Sequence, residues 1–225
     1  MPVTEFATLE VLDSSNPSLI TQPPLIDHLR LVAEKQSAVS GYPVLFFESL
    51  FPDSRSIFYL ISGWTSVAAH YEWIHSQTNQ ELLVLLKDIV GVKGLAHVSV
   101  DFDEMRCELE KDCGAILRPE AEGDLQDSQT SSGSRNGILA VSCSKDGMHS
   151  FRKSSWTKEG FSLDEDDESK RNVYRFAWFA TNCLEDVVAT LTEGGENSRV
   201  IFMAHCHIDK GRKEVIRSEA MVDTH

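Results

Sequence analysis

The chain has 225 residues with 41% hydrophobic and 25% charged side chains, enough for a packed core in one large domain or two of about 100 residues. A formal net charge of −14 repels nucleic acid and anionic membrane surfaces and argues against both as partners. No apolar run approaches the roughly 20 residues that span a bilayer, and the start MPVTEFATLE lacks the basic and apolar stretches of a secretory signal, so a soluble, cytoplasmic protein is expected.

Five cysteines, Cys107, Cys113, Cys143, Cys183 and Cys206, form no CxxC pair. An odd count without that spacing suggests neither a disulfide framework nor a zinc site, but small reduced apolar residues.

Thr4 to Leu12 alternates as a strand, with Ala7, Leu9 and Val11 on one face and Phe6, Thr8 and Glu10 on the other. The Ser, Asn and Pro of Asp13 to Pro23 mark a loop. Pro24 opens a helix with Leu25, Leu29, Val32 and Ala33 as its buried stripe to about Ser37, stopped by Gly41 and Pro43. Val44 to Leu50 and Ile57 to Ser62 read as a hairpin around Pro52–Ser56. Ser66 caps a helix with Val67, His70, Tyr71 and Ile74 on one side. Thr78 and Glu81 form a capping box for another, with Leu82, Leu83, Leu85, Leu86 and Ile89 as its apolar side and Gly91 and Gly94 as its stop. Leu95 to Phe102 returns as a strand with His97, Ser99 and Asp101 on one face. The order β-α-β-β-α-β over residues 1–106 is a ferredoxin-like unit, whose second sheet face needs a partner.

Residues 107–136 read as a linker, flexible from Pro119 to Asn136. Over 137–210 a strand from Gly137 to Cys143 is followed by a short helix from Met148 to Thr157 anchored by Phe151 and Trp156. The acidic block Leu163 to Glu168 reads as a solvated loop, with metal binding as the alternative. A strand from Val173 to Ala180, a helix capped by Asn182 and a strand from Arg199 to Ile208 complete this half, and 211–225 is a polar tail. FYLISGWTS parallels YRFAWFATN, and Ala96-His97 parallels Ala204-His205. The fold class is therefore α+β: two ferredoxin-like units, the second degenerate and without a clear second strand, packed sheet to sheet.

His70 is the foremost catalytic candidate. An imidazole is easily poised for proton transfer near neutral pH, and its helix face should point to the sheet and any pocket there. Simple packing against the sheet would explain it too. Asp186 stands at the matching place of the second half. Trp64 and Trp73 can stack on a flat aromatic substrate or serve as core anchors. His97 can complete a polar pocket wall with Ser99 and Asp101, or meet the other sheet at a seam, which is the preferred reading. His205 and His207 share a strand face, but a metal needs a third ligand, so no metal site is assigned. Neither a P-loop, a dinucleotide-binding glycine motif nor a nucleophile elbow occurs.

The stretch GWTSVAAHYEWIHS, with Gly63-Trp64 at a strand end, Ser66 as cap, His70 in the helix and Trp73 after it, resembles the antibiotic biosynthesis monooxygenase-like group of the dimeric α/β barrel superfamily. The strand Gly94 to Phe102 with His97 is similar to fungal members of that group. The resemblance covers residues 4–104 and is weak over 137–208. It implies two ferredoxin-like units closed into a barrel, here in one chain as a monomeric pseudo-dimer. It also implies a small-molecule substrate and chemistry such as cofactor-free oxygenation or polyketide cyclisation, without a cofactor. Fold cannot choose among these. The expectation is a cofactor-independent tailoring enzyme of secondary metabolism acting on an aromatic or polyketide-like molecule. His70 would be its base, and Trp64, Tyr71, Trp73 and His97 would shape the pocket. The alternative is a non-catalytic small-ligand or protein-binding barrel.

Overall fold

The computed structural model describes residues 2–12, 22–50, 56–113, 137–144, 154, 156–165, 167, 171–180 and 199–206. The first half runs β1 (Val3–Val11), α1 (Leu25–Ser40), β2 (Val44–Ser49), β3 (Ile57–Trp64), α2 (Val67–His75), α3 (Gln77–Leu86), β4 (Val90–Val98) and α4 (Phe102–Cys113). The second half supplies β5 (Gly137–Ser144), β6 (Trp156–Phe161), β7 (Val173–Ala180) and β8 (Arg199–Cys206). All described strand pairs are antiparallel, in one sheet ordered β4-β1-β3-β2-β8-β5-β7-β6. This is an α+β fold.

The order β4-β1-β3-β2 is the sheet of the predicted ferredoxin-like unit, and β8-β5-β7-β6 traces the same order in the second half. The second half therefore has a second strand after all. Trp156 and Thr157, expected in a short helix, begin β6, where Trp156 lies opposite Trp178 and Phe161 opposite Val173. The sequence WTKEGF has too few apolar residues to advertise a strand; its ladder with β7 makes it one. Residues 148–153 of that expected helix, and the helix expected after Asn182 with Asp186, lie outside the described residues.

The halves join edge to edge within the sheet, through Phe46–Ser49 of β2 against Met203–Cys206 of β8. At the other end of the strand order, Val98 bridges to Ser162. Around that bridge the Ser99 amide donates to the Phe161 carbonyl at 2.9 Å, and the Leu163 amide to the His97 carbonyl at 2.7 Å. Thus the seam face is the one carrying Phe6, Ala96 and Val98, which pack with Leu139, Val141, Phe176 and Trp178 of the other half. Phe6 stacks on Tyr59 at 5.7 Å between ring centroids and meets Phe176 edge-on at 6.1 Å. The opposite face of the first half, with Ala7, Leu9, Val11, Phe58 and Leu60, is covered by Leu25 and Leu29 of α1.

Local signals explain most element ends. Gly41 caps α1 in the left-handed region at φ 77°, and its amide donates to the Ser37 carbonyl at 2.9 Å. Ser66 caps α2 by accepting from the Ala69 amide at 3.1 Å. Ser76 rather than Thr78 caps α3, accepting from the Asn79 amide at 3.2 Å, while Glu81 accepts from Gln77 one turn earlier at 2.8 Å. Gly91 and Gly94 do not end a helix but lie inside β4, where the register against β1 shifts between Thr8 and Leu9. An extra residue at such a shift is a bulge, a usual place for strand glycine. The strand ends at Val98, short of the expected Phe102, and Asp101 accepts from the Asp103 and Glu104 amides at 2.9 and 3.3 Å, starting α4, which runs from Phe102 into the region expected to be linker from residue 107.

Candidate active site

Alternation along β1 puts Glu5 on the helix-facing side with Val3 and Ala7, although a carboxylate there must leave water. Glu5 lies opposite Ser62 of β3 and His97 of β4 in the ladder. Gln36 comes down from α1, one more step along the Leu29 stripe, and His70 comes from α2. Glu5, Gln36, Ser62, His70 and His97 are all buried.

Three donors converge on one Glu5 oxygen. Gln36 Nε2, Ser62 Oγ and Trp64 Nε1 donate to Oε2 at 2.8, 2.6 and 2.8 Å. The other oxygen, Oε1, faces His70 Nε2 at 3.5 Å. His70 Nδ1 and His97 Nε2 are 2.7 Å apart. His97 Nδ1 lies 2.5 Å from Asp164 Oδ1, and the His97 backbone amide donates to Asp164 Oδ2 at 2.8 Å. Four titratable groups from β1, α2, β4 and the segment after β6 therefore form one chain of contacts, with Asp164 at the partly exposed end.

Burial pushes the Glu5 carboxyl above its ordinary value, against the pull of the Ser62, Trp64 and Gln36 hydrogen bonds and of nearby His97. Burial also holds His70 down at about 3, with His97 adding to the depression and Asp164 opposing it. His70 is thus a neutral imidazole near neutral pH.

The candidates from sequence fall into three places. His70, His97 and Trp64 come together, with the Trp64 ring stacked on His70 at 4.5 Å and the His70 and His97 rings 4.9 Å apart. His97 faces the helices and not the seam that was preferred for it. Its strand neighbours Ser99 and Asp101 turn to other tasks: Ser99 Oγ accepts from the Phe161 amide at 2.8 Å, and Asp101 caps α4. Trp64 and Trp73 sit 6.5 Å apart and pack with Val3 and Leu82. They are core residues that also line a cavity of about 330 Å³ together with Ser40, Thr65, Ala69 and Glu72. His70 and His97 are not on its wall. Tyr71 is exposed, its ring 5.3 Å from His97.

Sequence reading missed Glu5, Gln36 and Asp164. Glu5 was findable, because it continues the Ala7, Leu9, Val11 face two residues earlier. Gln36 sits seven residues after Leu29 on the same helical stripe. Nothing local separates Asp164 from its acidic neighbours; the expected solvated loop holds a carboxylate that accepts from buried His97. His205 side-chain placement and His207 lie outside the described residues.

No protein-family model matches the chain, and comparison with curated protein sequences finds no match. Among solved structures, the chain is similar to the chlorite dismutase-like protein TA0507, at TM-score 0.54 and 11% identity, over 92% of this chain and 95% of that one. It also resembles a monooxygenase-like protein of Fusobacterium nucleatum at TM-score 0.49 and 10% identity, covering 91% and 92% of the two chains. A chlorite dismutase variant from Candidatus Nitrospira defluvii follows at TM-score 0.47 and 12% identity, covering 92% of each chain. At such identities the likeness to TA0507 concerns the fold alone, and that fold is α+β.

Proposed function

We propose that the protein is a cofactor-independent enzyme of the monooxygenase or cyclase type, in which His70, backed by His97 and Asp164, takes a proton from an aromatic or polyketide-like small molecule. The observation that carries this reading is the Asp164–His97–His70 chain, with 2.5 and 2.7 Å contacts, stacked directly behind a tryptophan that lines a cavity. A carboxylate behind an imidazole fixes its tautomer and stabilises the cation formed when a proton arrives. In this reading Trp64 and Trp73 hold the substrate ring, and exposed Tyr71 turns aside to admit it to His70. The two halves act as one intramolecular pseudo-dimer closing a barrel. The matching strand orders, the β2–β8 junction and the Val98–Ser162 bridge support that arrangement. The tailoring role in secondary metabolism rests on the sequence resemblance.

The test is oxygen uptake and absorbance change with a panel of polyphenols and β-diketones, comparing wild type with His70→Gln. Turnover that drops at least about tenfold in the folded variant is expected; equal turnover removes His70 as the base.

A second reading, a non-catalytic small-ligand barrel, is favoured by one observation. His70 is only 3% exposed and lies outside the cavity wall. It expects the same panel to bind by calorimetry, with equal affinity in His70→Gln, and without turnover in either protein.

A further inference from the structure

We propose that Glu5, His70, His97 and Asp164 form a proton relay from the buried start of β1 to the solvent edge after β6, and that Glu5 carries the transferable proton at rest. The relay rests on the proton-transfer reading above and adds the resting state of its base, in which the Glu5 acid faces His70 Nε2 until a substrate proton takes that place.

The polarity of the chain follows from its outer end. The Asp164 carboxylate accepts from the His97 backbone amide through Oδ2, at 2.8 Å, and from Nδ1–H of His97 through Oδ1, at 2.5 Å. With Nδ1 of His97 protonated and the ring neutral, its Nε2 is a lone pair. The 2.7 Å contact then requires the donor to be Nδ1–H of His70. His70 in that tautomer presents the lone pair of Nε2 to Glu5 Oε1 at 3.5 Å. A carboxylate oxygen there would set lone pair against lone pair in a buried site. A carboxylic acid with its proton on Oε1 instead directs it at Nε2, and the 3.5 Å gap must shorten for the proton to pass, while Oε2 keeps its three donors, Gln36, Ser62 and Trp64. Burial favours the neutral forms of Glu5 and His70, in agreement with this assignment.

Transfer is a double shift. The Glu5 O–H bond breaks as the His70 Nε2–H bond forms, and the His70 Nδ1–H bond breaks as the His97 Nε2–H bond forms. Glu5 becomes a carboxylate, His70 stays neutral in its other tautomer, and His97 becomes an imidazolium paired with Asp164. No proton enters or leaves, so total charge is unchanged and the relay needs no co-reactant. The groups facing it are Gln36 from α1, Ser62 and Trp64 from β3, Tyr71 from α2 and Ser162 beside Asp164.

The test uses the full chain labelled with ¹⁵N and ¹³C and needs no substrate, so its outcome is separate from the turnover assay. At neutral pH, long-range ¹⁵N–¹H spectra should show Nδ1–H tautomers at both His70 and His97, and the Glu5 carboxyl carbon should resonate as an acid. Glu5→Gln should keep both tautomers, because its amide can donate to His70 as the acid did. In Asp164→Asn no carboxylate stabilises the His97 imidazolium that the shift creates, and solvent exchange of the His70 ring proton should slow at least about tenfold. A Glu5 carboxylate signal, an Nε2–H tautomer at His70, or equal exchange in Asp164→Asn with a native backbone spectrum overturns the relay. If Asp164→Asn does not fold, the wild-type tautomers and the Glu5 resonance decide.

Discussion

Glu5 and His70 are adjacent residues with opposite linkage to pH. The His70 imidazole titrates at about 3 when folded against 6.5 in an open chain, so between these values only the unfolded chain gains its proton. Its contribution to stability is complete above 6.5 and shrinks as pH falls toward 3. The Glu5 carboxyl is raised above 4.5, so the stability it supplies is complete below 4.5 and is lost as pH rises through its folded value. Melting temperatures measured between about pH 4 and pH 7 should therefore fall more steeply toward acid in wild type than in His70→Gln. Parallel curves would show that His70 is not held neutral by its surroundings. Glu5→Ala should cost more than Glu5→Gln in urea denaturation, because it leaves Ser62, Gln36 and Trp64 donating into a void. Each such orphaned donor costs about 1–3 kcal/mol.

At the scale of the element, the first half is held by a plain amphipathic contact. Leu29 of α1 is 1% exposed in the layer with Leu9, Phe58 and Leu60. Leu29→Ala should lower unfolding free energy by about 2–5 kcal/mol, read from the urea midpoint at unchanged slope. Helices α1 to α3 were legible because their stripes and caps are local signals. The bulge in β4 was not, since a glycine after an apolar helix reads equally well as a stop. Only the ladder against Thr8 and Leu9 turns Gly91 and Gly94 into strand residues. Likewise β6 has no pattern of its own to betray it, and β7 defines it.

For the whole molecule, the decisive contact is where the end of β6 meets the end of β4 and the residues just after it. A Cβ on Gly160 would lie 2.8 Å from Val100 Cγ2 and 2.9 Å from the Ser99 carbonyl carbon, so the backbones approach there as only glycine permits. Gly160→Val should force this contact apart, and with it Asp164 from His97. The expected readout is a lower melting temperature together with loss of hydrogen-exchange protection at Ser99 and Leu163, whose amides bond across the contact. Protection equal to wild type would mean the ends are not held there. If one chain closes its own barrel, light scattering should give a mass near 25.2 kDa; a mass of twice that would point to closure between chains.

The sequence by itself determined the first unit, its β-α-β-β-α-β order, the inward placement of His70 and its closeness to Trp64, because alternation, helical spacing and caps act within a few residues. Tertiary structure alone decided that His97 turns toward the helices, that Glu5 is the buried centre of the polar cluster, and that Asp164 completes it from 67 residues away along the chain. These depend on strand register and on which edges meet. Register depends on partners distant in sequence, and a shift of one residue would have placed His97 and Glu5 on the seam face instead.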